Sequence, residues 1–164
     1  MVDTVMETLV KHLKDGGLNA IRQYPNRAFG PAKNSEIIVS LDEARCLSPG
    51  MGDYLGFSMG DPGEPEVYGK RMEMGIGLTA MVPFSQKDGA GSCIRLTDRL
   101  CEILAKAPDG IKITELARGE VKDDGESAAF VCKCKLKCMA FFVAEDNGDY
   151  GEFLDFVLRG RLKK

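Results

Sequence analysis

The chain of 164 residues contains a single histidine, His12. That scarcity removes most His-based catalytic triads and His-rich metal sites from consideration. The six cysteines include no C-x-x-C pair and show no regular spacing, so reduced thiols in a cytoplasm are the simplest reading. Residues 1–14 carry charges throughout and lack the apolar stretch of a signal peptide. No apolar run approaches the ~20 residues that a membrane helix needs, so no membrane partner is expected. A net charge of −3 argues against a protein whose main task is to grip phosphate backbones. The glycine-rich stretch GMGDYLG (50–56) lacks G-x-G-x-x-G spacing and no helix pattern follows it. GAGS (89–92) precedes a predicted helix but lacks the lysine of a P-loop. No catalytic constellation, metal or cofactor is therefore expected.

The dominant feature is the stretch Ala128–Ala144, AAFVCKCKLKCMAFFVA. Every even position from Ala128 to Phe142 is apolar, while Lys133, Lys135 and Lys137 occupy the middle of the odd side. A period of two sustained this long predicts a strand with one buried face. Seventeen residues at ~3.3 Å each would span roughly 56 Å. A compact chain of this length has a diameter of roughly 40 Å. The strand is then either broken by a bulge or longer than its own domain. A strand that overshoots its domain needs a neighbour, which points to self-assembly. Cys132, Cys134 and Cys138 share one face, where even nearest neighbours lie ~6.6 Å apart along the strand, too far for thiolates of one shared zinc, and they are read as buried small apolar groups.

The rest of the chain supplies partners for that strand. Val2, Met6, Leu9, Val10 and Leu13 recur at helical spacing before Gly16-Gly17. Leu18–Tyr24 is a short candidate strand, and Glu36–Leu47 a longer one opened by a β-branched run. Lys70–Phe84 alternates cleanly and ends near Pro83. A second helix is predicted from Ser92 as N-cap, with Cys93, Leu96, Leu100, Ile103 and Leu104 as its buried stripe. Ile111–Lys122 and the long strand form a hairpin turned by Asp123-Asp124-Gly125.

Two segments stay open. Ser48–Gly69 is rich in Gly and Pro and reads as a long loop. Its Tyr54, Leu55 and Phe57 either meet a partner, the loop being mobile in the free subunit, or fold back as a hairpin arm. The arm 146–164 is either a last strand or a docking segment. Taken together, residues 1–164 are expected to form one α+β domain. It should hold a mostly antiparallel twisted sheet, two helices on one face and a long C-terminal β-hairpin.

In this order of elements the chain resembles the tail terminator proteins of long-tailed bacteriophages. The likeness lies in the register of NSEIIVSLDEARC, EVYGKRMEMGIGLTAMVPF, SCIRLTDRLCEIL and the final hairpin. It is similar as well to collar proteins of phage-tail-like bacteriocins. The resemblance is one of pattern over roughly Met1–Val143. It implies a non-enzymatic protein forming a homo-oligomeric ring, a hexamer, that caps the tail tube and ends its polymerisation. It also implies the tube protein as partner, with head-completion protein and, in contractile tails, the last sheath layer. The implied location is a virion tail or phage-tail-like particle, assembled in the bacterial cytoplasm. Tyr54, Leu55, Phe57, Lys133, Lys135 and Lys137 are the candidate interface residues. For the lysines the plain alternative is a solvated strand face; the sharper one is contact with acidic groups on a neighbouring subunit or the tube protein, with Glu120, Asp123, Asp124 and Glu126 as candidates within this sequence. The competing functional readings are another small tail-completion or neck protein, or an intracellular thiol enzyme using Cys46, Cys93 or Cys101.

Overall fold

The computed structural model describes residues 1–23, 32–49, 54–57, 66–145 and 155–158. Helix α1 spans Val2–Asp15 and α2 spans Gly89–Leu104. The strands are β1 (Ala20–Arg22), β2 (Glu36–Leu47), β3 (Tyr54–Phe57), β4 (Glu66–Pro83), β5 (Ile111–Asp124), β6 (Ala129–Glu145) and β7 (Asp155–Leu158). They form one sheet in the order β1-β2-β4-β6-β5, with β3 added to β4 and β7 added to β6. Only the β1–β2 pair is parallel. The fold is α+β, as the hydrophobic pattern predicts.

The strand Ala128–Ala144 is β6, shifted by one residue because Ala128 turns with φ +49. It pairs with β4 without interruption from Ala129–Pro83 to Val143–Gly69. That ladder is about 45 Å long at ~3.3 Å per residue. The bulges fall instead in its neighbours, near Asp42 of β2 and at two places in β5. The long strand is therefore accommodated by length, and the flanking strands bend around it.

Both helices cover the same face. Val5, Met6, Leu9 and Leu13 of α1 and Cys93, Leu100, Ile103 and Leu104 of α2 join one cluster with the even positions of β4 and β6. Helix α1 ends in a motif in which Leu18 N–H donates to Leu13 O at 3.0 Å and Gly17 N–H to Lys14 O at 2.9 Å. The φ of +87 at Gly17 is what that ending requires, and glycine adopts it without strain.

Several boundaries differ from expectation. Helix α2 begins at Gly89, and its N-cap is Asp88 in a left-handed conformation, not Ser92. The Asp88 carboxylate folds against Gly91, where a Cβ would lie 2.4 Å from it, and pairs with Arg95 at 3.0 Å. The carboxylate makes no cap hydrogen bond, but a negative charge near a helix N-terminus is favourable. Strand β4 starts four residues before Lys70, and Ser48–Gly69 is not one loop. Tyr54–Phe57 forms β3, paired with Glu66–Tyr68, so the hairpin-arm alternative holds for these residues. Residues 50–53 and 58–65, with their glycines, lie outside the described residues, as does any reading of loop mobility there. Of the arm 146–164, residues 155–158 form β7, a last strand; the rest, with its basic tail, lies outside the description.

Candidate interaction surface

The odd positions of β4 and β6 line the face away from the helices. Its ends are closed. At one end Ile38, Met81 and Ala129 form a second small cluster with Ile21, Ala32 and Val131. There the Ala32 N–H donates to Ser127 O at 3.0 Å, pinning the segment before β2 over the sheet. At the other end Val143 is buried. The middle is open and charged.

Cross-strand register orders that middle into ranks. One rank runs Ser40, Gly77, Lys135, Ala117 from β2 to β5. The next runs Glu43, Gly75, Lys137, Glu115, and the one after it Arg45, Glu73, Met139, Lys112. The two glycines of β4 matter here because they remove side chains between the acids of β2 and the lysines of β6. A Cβ on Gly77 would lie 3.0 Å from the Asp42 carboxylate, and one on Gly75 would lie 3.0 Å from Glu43 Cγ. The acids lean into that space. A groove of about 350 Å³ results, lined by Glu43, Arg45, Glu73, Thr114, Lys137 and Met139 among others.

The three lysines are exposed but not equivalent. Lys137 Nζ donates to Glu115 Oε2 at 2.8 Å. The Glu115 hydrogen bond and charge, with a smaller contribution from Glu43, hold its pKa above the ordinary lysine value. Lys133 and Lys135 have no carboxylate within ion-pair distance among the described residues. Of the acids around the hairpin turn, Asp124 accepts from Ser127 Oγ at 2.6 Å; its carboxyl is lowered chiefly by that bond, with a smaller contribution from the Lys133 charge. Glu115 and Glu43 were missed because sequence distance hides register. The legible signal was glycine at two successive odd positions of β4.

The other candidate residues fall apart from this surface. Tyr54 and Leu55 are half-buried at the β3–β4 end, where Tyr54 meets Tyr68 edge-to-face at 5.7 Å between centroids. A Cβ on Gly69 would lie 2.7 Å from Leu55 Cδ1. Both residues thus pack within the subunit, and the Phe57 side chain lies outside the description.

Four of the six thiols are buried. Cys93, Cys132, Cys134 and Cys138 are buried on the helix-covered face; Cys101 is half-buried and Cys46 is exposed. Burial pushes Cys93 and Cys138 up to about 11, and Cys134 up to about 12. His12 Nε2 lies 3.2 Å from Ile103 O, so the one imidazole is half-buried between the helices rather than free on the surface. Reactivity follows the thiolate. Brief alkylation of the folded protein near pH 8 should therefore modify Cys46 first, and Cys93, Cys134 and Cys138 only after unfolding. Peptide mass spectrometry that finds those three labelled as fast as Cys46 would contradict this.

Among the described residues, no cluster of three or more His, Cys, Asp or Glu is placed to hold a metal. No described helix is long and apolar enough to cross a membrane. In comparison with known proteins, no family model matches the chain and no curated protein matches it.

Proposed function

We propose that this chain is a structural, ring-forming component of a phage tail or phage-tail-like particle, of the tail terminator type. It caps the tube and offers a surface to the head connector or to the last sheath layer. The observation that carries the reading is the uninterrupted β4–β6 ladder, about 45 Å long. One face of it is sealed by helices, while the other presents a charged middle in which, among the described residues, Lys133 and Lys135 form no close ion pair. A single subunit gains little from an exposed row of like charges at ~6.6 Å spacing. A neighbour that supplies carboxylates gives that row a purpose. The order of helix, strands, long strand, helix and hairpin agrees with the resemblance on which the reading also rests.

Native mass tests it directly. The purified chain should form a closed oligomer near six times the 17.9 kDa subunit, about 107 kDa. Added to its tube protein, it should cap tube ends and shorten the tubes seen by electron microscopy. A strict monomer at all concentrations, with no effect on tube length, would refute the proposal.

A further inference from the structure

We propose that the open edge of β2 pairs with the same edge of a second copy, antiparallel about Ala44. Strand β1 covers β2 only along Ile37–Val39, and Gln23 N–H adds one bond to Val39 O. Beyond that point no described strand pairs with the outer side of β2, and residues 41–46 are all exposed. An edge strand left this way is a template for another chain.

Two features choose this edge over β5, whose outer side also lacks a described partner strand. Strand β5 is interrupted twice, between Ile113 and Glu115 and again between Arg118 and Val121. After its single irregularity at Asp42, β2 keeps a regular run from Glu43 to Leu47. That is the longest uninterrupted open run of strand edge among the described residues. The second feature is exposed apolar area: Leu41, beside this run, is 42% exposed.

The occupant follows from charge. Around Ala44 the sequence reads Glu43-Ala44-Arg45, a pattern that is complementary to itself when reversed. A twofold axis at Ala44 sets Glu43 against Arg45 of the other copy, and Arg45 against its Glu43. Opposite charges directly across an antiparallel pair are stabilising, and like charges are not. Moving the axis to Arg45 would set two guanidinium groups face to face, so charge selects the register. In the single chain Arg45 Nη2 makes a loose 3.3 Å contact with Glu43 Oε2, and both side chains are well exposed. Exchange with the other copy gives up that exposed contact and the weaker pull of Glu43 on Lys137. The contact is isologous and closes on itself as a pair. It does not depend on the ring reading: it joins two subunits whether or not a ring forms.

The test is a charge-reversal set, E43R, R45E and E43R/R45E, followed by sedimentation at low salt. The wild-type chain should show a concentration-dependent doubling of mass below roughly 1 mM subunit. Each single reversal should weaken the doubling by about tenfold or more, and the double reversal should restore it to within about threefold of wild type. Hydrogen exchange gives an independent readout: amides within Glu43–Leu47 should gain protection as concentration rises, in the wild type and the double variant alone. Absence of doubling in the wild type overturns the proposal. So do single reversals without effect, or a double reversal that fails to restore. A missing sixfold mass would instead count against the ring alone.

Discussion

Replacing Phe142 by alanine should cost the folded chain about 3–5 kcal/mol, the usual range for truncating a buried aromatic ring. For a chain of this size that corresponds to a fall in Tm of roughly 6–20 °C. Phe142 is 0% exposed and belongs to the main cluster. It sits beyond the first residue of β5, where β6 is flanked by β4 through Lys70 and by β7 through Leu158. The core therefore runs the whole length of the β4–β6 ladder and does not stop under the helices. Its neighbour Phe141 has the opposite orientation and is only half-buried, so the same truncation there should cost clearly less. Urea unfolding of both variants makes the comparison. A loss below about 1 kcal/mol for Phe142→Ala would mean that this end of β6 is not core.

The second large effect concerns assembly rather than folding. Converting Lys133 and Lys135 together to glutamate should abolish ring formation or tube capping at low salt, while the subunit's Tm barely moves. Neither ammonium forms a close ion pair among the described residues, and the one internal charge that acts on them, Asp124 near Lys133, contributes little, so their reversal should cost the subunit little. Lys137→Glu should act differently. It loses the 2.8 Å bond to Glu115 and sets a carboxylate near both Glu115 and Glu43. Exposed pairs of this kind are worth ~0.2–1 kcal/mol, so that variant should lose a little subunit stability and assemble nearly as before. Added salt should reduce the difference between wild type and the double variant, because exposed charges are screened within ~10 Å at 0.1 M. The readouts are native mass and tube length across a salt series. Unimpaired assembly by Lys133→Glu/Lys135→Glu at low salt would leave the stripe as a solvated face.

Local pattern carried much of the architecture. The alternation through Ala128–Ala144 specified both the strand and its buried side, because a period of two admits one orientation once the apolar set is chosen. The glycine pair after Leu13 specified the end of α1, since a positive φ is costly for any residue with a Cβ. Helix α2 was legible through Cys93, Leu100 and Leu104, yet its start was not. Ser92 and Asp88 are comparable cap residues, and the helix begins at the earlier of the two without a side-chain cap bond. Strand β3 was hidden for a related reason: Tyr54–Phe57 has weak pattern of its own and becomes a strand through pairing with Glu66–Tyr68.

The candidate surface divides the same way. Sequence alone placed Lys133, Lys135 and Lys137 on one exposed side of one strand, because alternation along a strand is a local property. Which of them is already satisfied depends on residues far away in the chain, and a bulge moves every later partner by one. The irregularity in β5 between Ile113 and Glu115 brings Glu115, not Thr114, opposite Lys137. The irregularity at Asp42 brings Glu43 opposite Gly75, where the missing side chain lets its carboxylate reach across β4. Periodicity fixes a face because it needs only neighbours in the chain. Pairing across a sheet needs the register, and the register is set where strands bend to pack.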